Sequence, residues 1–272
     1  MTSTELNTLV AFGYMATAVV YLVAYIVGGA KSRFLTIAVV LFITIWGLHT
    51  GAIAFRWIES YQLGIGHAPL SNLYESLVFF AWAMALALLV VRFRFGADII
   101  VVFGLPLVFL VMASTFLVDG NIKPLIPALQ SNWLVAHVIT CFLGYAGFTS
   151  SFVAAVILLL AKGSQSAANY LPRMDILDEI VYRSVLVGFP LLTVGIITGA
   201  AWADYAWGTY WSWDPKETWS LITWLVYAAF LHARVTRGWS GGRTAVLSVV
   251  GFMAVLFTYF GVNYLPGLHS YF

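Results

Sequence analysis

Residues 99–118 read Ile99-Ile100-Val101-Val102-Phe103-Gly104-Leu105-Pro106-Leu107-Val108-Phe109-Leu110-Val111-Met112-Ala113-Ser114-Thr115-Phe116-Leu117-Val118, twenty residues without a charge. At 1.5 Å per residue, a helix of that length reaches about 30 Å, the thickness of a bilayer's hydrocarbon core. Working outward, Leu9–Val27, Leu35–Phe55 and Leu73–Val91 precede it, and Trp133–Leu160, Val185–Ala203, Thr218–Arg234 and Ala245–Tyr264 follow. The pattern predicts an all-α, polytopic integral membrane protein with about eight transmembrane helices, forming a single membrane domain over residues 1–272. Composition agrees. The chain is 62% hydrophobic and 9% charged, where a soluble domain carries roughly 25% charged residues, and its mean hydropathy is +0.93. A soluble enzyme, a disordered chain and a fibrous repeat are excluded. A net charge of +2 without basic runs argues against a nucleic-acid partner. The single cysteine, Cys141, excludes an internal disulfide and a CxxC redox motif. Met1 to Asn7 carries Glu5 and no basic residue, so the first apolar stretch is expected to stay as a span rather than leave as a signal peptide.

Loop charges orient the spans. With the N-terminus on the side away from the cytoplasm, the inward loops carry Lys31, Arg33, Arg92, Arg94, Lys162, Arg173, Arg183, Arg234, Arg237 and Arg243. The outward segments carry Arg56, Lys123 and Lys216. Ten basic residues against three predict this orientation by the positive-inside rule, with both termini on the outer (periplasmic or lumenal) face. Leu171–Arg183 reads as a polar interfacial helix leading into the sixth span. The outer face then holds Trp57–Asn72, Asp119–Asn132, Asp204–Glu217 and the tail after Tyr264.

Five histidines stand out among so few polar residues. His67, His137 and His269 fall near the outer face; His49 and His232 lie within the second and seventh spans. His232 sits about 14 residues into its helix, roughly 20 Å from the outer end. An intramembrane ionisable group is a functional candidate by default; the ordinary alternative is a neutral ring bonded to a neighbouring helix. For His67 the ordinary alternative is a loop polar contact, and for His269 it is a frayed terminus. Zinc fits poorly, because neither H-E-x-x-H nor CxxC spacing is present. Histidines scattered over several spans suit the axial positions of a haem iron better.

The densest signal is Trp202-Ala203-Asp204-Tyr205-Ala206-Trp207-Gly208-Thr209-Tyr210-Trp211-Ser212-Trp213-Asp214-Pro215-Lys216-Glu217-Thr218-Trp219. Six of the 11 Trp lie between Trp202 and Trp224. An interfacial aromatic belt accounts for some of this, and Asp214-Pro215-Lys216-Glu217 reads as a capping box starting the seventh span. Neither reading explains Trp207, Trp211 and Trp213 within seven residues, with Gly208 permitting close backbone approach. Residues 203–217 read as an outward aromatic platform for a flat apolar ligand.

This segment resembles the tryptophan-rich WWD signature of the haem-handling superfamily that includes CcmC, CcmF and CcsA. Further motifs point to the CcsA (ResC) family of System II cytochrome c biogenesis. They are Gly66-His67-Ala68-Pro69-Leu70-Ser71-Asn72-Leu73-Tyr74-Glu75-Ser76-Leu77, then Tyr182-Arg183 through Gly188-Phe189-Pro190-Leu191-Leu192, then Trp213 to Trp219, and finally Gly261-Val262-Asn263 to Gly267-Leu268-His269-Ser270-Tyr271. The resemblance runs from about residue 57 to the C-terminus; the first two spans match in hydropathy alone.

The resemblance implies a set of roles. His137 and His269 would be axial ligands of a haem held by Trp207, Gly208, Trp211, Trp213 and Asp214. His232 would bind the iron of a second haem at membrane depth, opposite a ligand from a CcsB (ResB) partner. His49 and His67 are weaker candidates. The haem is non-covalent, b-type, and also the substrate. The activity implied is cytochrome c maturation, with haem presented or attached to the CxxCH motif of apocytochrome c. A thioredoxin-like thiol reductant is an indirect partner. Such a chain would be a synthase-type subunit active with its CcsB partner, in the bacterial cytoplasmic membrane or alternatively the thylakoid. A haem exporter without bond formation, or a membrane b-type electron carrier, remain the alternative readings of the same residues.

Overall fold

A computed structural model of the chain describes residues 2–28, 32–161 and 173–267, and among these described residues eight α-helices occupy the eight apolar stretches. Among the described residues there is no strand. Helix ends follow local chemistry. Asn72 caps α3 (Leu73–Phe95) by accepting from the Glu75 N–H at 2.9 Å, and Gly96 ends it in the left-handed conformation at φ 64. Gly208 ends α6 in the same way at φ 78.

The chain divides into two units, Met1–Gln130 and Ser131–Phe272. In the first, α1 (Ser3–Gly28) packs on α2 (Arg33–Gln62) and α4 (Asp98–Ser114), and α3 packs on α4 and α2. A buried ion pair ties the end where α1 begins. Arg56 meets Glu75 at 3.0 Å, with side chains 2% and 1% exposed. Arg56 also donates to Ser3 Oγ and to the Gly120 carbonyl, while Glu75 accepts from the N–H and hydroxyl of Ser71. At the opposite end Asp98 pairs with Arg92 and accepts from the Tyr21 hydroxyl.

In the second unit, α5 (Asn132–Ala161) and α6 (Met174–Trp207) form the most extensive contact, and α8 (Gly242–Tyr259) packs on α5 and on α7 (Pro215–Arg237). Glycines set the α5–α6 distance. A Cβ at Gly144 would lie 3.0 Å from the Gly188 carbonyl oxygen, and one at Gly147 would lie 3.0 Å from that of Ser184. The two backbones touch, as small residues allow within membranes. The end where α7 stops is held by Asp178, which pairs with Arg234 at 2.7 Å and accepts from the Gly241 N–H.

Among the described residues, seven helices are long and apolar enough to cross a membrane. The exception is α7, whose 23 residues include Lys216, Glu217, His232, Arg234 and Arg237. The polar stretch read as an interfacial helix leading into the sixth span runs into it without a break. Its described part, from Met174, opens the 34-residue α6, about 51 Å long and so longer than a hydrocarbon core is thick. Leu171 and Pro172 lie outside the described residues.

Candidate functional site

One end of the second unit gathers most of the residues singled out above. There α5 begins, α6 ends, the 208–214 segment turns, α7 begins, and the chain after α8 returns.

His137 sits one turn into α5 and is half-buried. Its Nδ1 lies 2.7 Å from the Gly195 carbonyl oxygen of α6. A carbonyl can only accept, so Nδ1 carries the proton and donates, and Nε2 holds the lone pair a metal would take. The ring lies parallel to that of buried Trp202, centroids 6.3 Å apart at 17°. Two glycines make the room: a Cβ at Gly199 would be 2.6 Å from His137 Nδ1, and one at Gly195 would be 2.5 Å from Cys141 Sγ. Cys141, one turn further along α5, has its sulfur 3.6 Å from the same Nδ1.

The aromatic segment continues from Trp202. Trp202 and Trp207 meet edge to face at 4.9 Å, as do Trp211 and Trp213 at 5.7 Å. Trp213 has φ 61, in the left-handed region, and is 68% exposed. An L-residue there is strained by roughly 1–2 kcal/mol, and an exposed indole recovers little by burial. Strain of this kind, held in place by its surroundings, clusters at ligand sites. The surroundings are a tight polar knot. Asp214, buried, caps α7 by accepting from the Lys216 N–H at 2.9 Å. Glu217 accepts from the N–H of Ser212 at 2.7 Å and from that of Asp214 at 3.3 Å. The capping box expected from sequence is present, so the carboxylates of Asp214 and Glu217 hold the turn that displays Trp213.

Lys216 lies in the first turn of α7, half-buried, beside the Asp214 carboxylate. Burial pushes its ammonium down to about 8, while the Asp214 carboxylate opposes that shift. The returning chain closes the site from another side. A Cβ at Gly267 would be 2.5 Å from Asp214 Oδ2 and 3.0 Å from Pro215 Cδ, so the backbone two residues before His269 rests on the start of α7. His269 itself lies outside the described residues.

The remaining histidines are elsewhere. His232 is exposed on α7, one turn before the end that holds Arg234 and Asp178. His49, in the first unit, is fully buried, and its Nδ1 bonds the Tyr14 hydroxyl at 3.1 Å. His67, also in the first unit, places Nδ1 2.9 Å from the Ala68 carbonyl and Nε2 3.1 Å from that of Lys123. Nε2 reaches the second loop, while Nδ1 faces a carbonyl of its own loop; a neutral ring donates to one of the two. Among the described residues, no three His, Cys, Asp or Glu side chains cluster to hold a bare metal ion.

Sequence reasoning did not single out Gly195, Gly199 or Lys216. The i,i+4 spacing of the two glycines was the available signal for a close contact along one helix face. Lys216 was visible only as one of three outward cations.

Residues 70–269 match the sequence profile of a family described as Cytochrome C assembly protein. A protein of Guillardia theta named Cytochrome c biogenesis protein CcsA is 44% identical over 242 aligned positions, covering 79% of this chain and 79% of the relative. Proteins of the same name from Prochlorococcus marinus are 42% identical over 269 positions in strain MIT 9515, covering 88% and 83% of the two chains, and 39% identical over 299 positions in strain MIT 9303, covering 97% and 92%. With its helices long and apolar enough to cross a membrane repeatedly, the chain is a multi-pass membrane protein that belongs to the cytochrome c assembly protein family, among the CcsA proteins.

Proposed function

We propose that this chain serves cytochrome c maturation by holding haem at the outer face of its membrane and presenting it to the CxxCH motif of apocytochrome c, in company with a CcsB (ResB) partner. The observation that carries the reading is the His137 ring. Its Nδ1 proton is committed to the Gly195 carbonyl at 2.7 Å, which fixes the tautomer that ligates through Nε2. The fit to haem also draws on Trp213, a strained and exposed indole beside Trp211, and on the tail's approach to Asp214 two residues before His269. The ten-to-three loop asymmetry supports placing this end outside.

When bound, haem supplies two vinyl groups. A cysteine thiol adds across each, forming an S–C bond while the thiol proton goes to the other vinyl carbon, without net oxidation. The chain's own part is to orient. His137 and His269 would hold the iron from two sides, and Trp207, Gly208, Trp211 and Trp213 would line the macrocycle. Asp214 would fix the turn that carries them. Much of the rate gain would come from holding the partners in fixed geometry. His232, exposed on α7, would serve a second haem whose other ligand comes from the partner. His49 and His67 are assigned no iron. The membrane proposed is the bacterial cytoplasmic membrane, with the thylakoid as the alternative.

The test is co-expression with a CcsB-type partner and an apocytochrome c in a host lacking its own maturation system. Covalent haem on the acceptor, and a bis-histidine spectrum from the purified chain, are expected. Haem on this chain without covalent product would make it an exporter instead. Absence of both would overturn the proposal.

A further inference from the structure

We infer that Trp202 is the positioning residue of the iron ligand proposed at His137, its indole fixing the plane of the imidazole relative to the aromatic segment. The inference rests on the haem reading above and adds what sets the ligand's orientation, which the hydrogen bond to Gly195 leaves open.

The contacts made by α6 carry it. Gly195, Gly199 and Trp202 follow at helical intervals of four and three, so they share one face of α6, and each meets His137. The Gly195 carbonyl takes the Nδ1 proton at 2.7 Å. Gly199 leaves the space beside Nδ1 and Cε1. Trp202 sets its indole parallel to the imidazole, at 17° with centroids 6.3 Å apart, within the range over which aromatic rings pair. A hydrogen bond fixes where one nitrogen points. It does not fix the tilt of the ring about that line, and the outer torsion of a histidine is intrinsically broad. A flat neighbour lying parallel to the ring restricts that tilt.

Trp202 is itself held. It is 3% exposed, where Trp133 and Trp213 are 52% and 68% exposed. An interfacial belt, whose tryptophans sit at the headgroup level, therefore does not account for it. Its other neighbour is Trp207, met edge to face at 4.9 Å and 69°. Trp207 is the last residue of α6, where Gly208 turns the chain at φ 78. The buried indole thus links the ring of the ligand to the first tryptophan of the platform.

The experiment records electron paramagnetic resonance spectra of the detergent-purified full chain loaded with ferric haem, because the plane of an axial imidazole sets the splitting of the iron d orbitals and hence the g values. The wild type should give one narrow low-spin species. Trp202→Leu, which keeps bulk without a flat face, should shift and broaden the g values and weaken haem binding by about tenfold, as losing an orienting partner does. Trp202→Phe, which keeps a flat face, should retain the wild-type g values. A role in packing alone predicts otherwise: both side chains are smaller than indole, so both would lower the thermal midpoint and alter the spectrum alike. Wild-type g values in Trp202→Leu, equal changes in the two variants, or a wild type spread over many g values overturns the inference while leaving haem binding intact. The last of these needs no variant and decides the matter even where Trp202→Leu does not fold. A wild type that binds no haem, or whose Soret band survives His137→Ala unchanged, removes the haem reading and this inference with it.

Discussion

Gly199→Ala is expected to separate the haem ligation proposed for His137 from folding. An added Cβ would stand 2.6 Å from His137 Nδ1 and 2.8 Å from Cε1, where ordinary contact begins at 3.4 Å. The ring is expected to give by about 0.8 Å, because parting α5 from α6 would break the close backbone packing at Gly144 and Gly188. A retreat of that size along the 2.7 Å bond to the Gly195 carbonyl lengthens it to roughly 3.5 Å, past useful hydrogen bonding. Losing the partner that orients a ligating histidine typically costs about 10–100-fold in affinity. The helix itself gains, since Ala exceeds Gly in helix propensity by about 1 kcal/mol. Gly199→Ala should therefore bind haem about 10–100-fold more weakly and release less holocytochrome, while keeping its thermal midpoint within a few degrees. Gly47→Ala is the control, since a Cβ there meets nothing within 4 Å. The assays are haem titration by Soret absorbance and covalent cytochrome yield in the reconstituted host. A Gly199→Ala chain with wild-type affinity and spectrum would refute the packing argument and, with it, the assignment of His137 as a ligand held from behind.

Other expectations follow from the same site and from the first unit. His137→Ala and His269→Ala should each lose the bis-histidine spectrum, and added imidazole should restore part of the activity; unchanged spectra would remove the axial assignment. Trp213→Gly should relieve the strain at φ 61 and raise stability by about 1 kcal/mol, yet lower cytochrome yield; a yield unchanged here and in Trp211→Ala would reduce the segment to an interfacial belt. Arg56→Met leaves Glu75 buried without its counter-charge and should destabilise the chain by about 3–5 kcal/mol. The double variant Arg56→Met/Glu75→Gln should be milder, as thermal melts in detergent would show.

The sequence was most informative where a property is carried by a continuous run. Residues 99–118 announce a membrane helix because twenty uncharged residues can satisfy their backbone groups in lipid only by bonding one another. The start of α7 was equally legible, because Asp214, Pro215 and Glu217 act within one turn. The helix leading into the sixth span was legible too: nothing local stops a helix between the polar residues after Met174 and the span that follows, so α6 runs through both.

The site was legible as a list of residue types and not as an arrangement. The residues singled out the tryptophans, the family resemblance added His137 and the tail histidine as ligands, and His67 stood as a weaker candidate with a loop contact as its ordinary reading. Tertiary structure distinguished His67 from His137. The His67 nitrogens face carbonyls at Ala68 and Lys123, while the His137 proton goes to Gly195, 58 positions away, through a gap that two glycines leave open. It also turned Trp213 out into the left-handed region. The physical reason for the division is range. Hydropathy and capping act over neighbouring residues and can be read along the chain, whereas a tautomer or a strained rotation depends on atoms that only packing brings together.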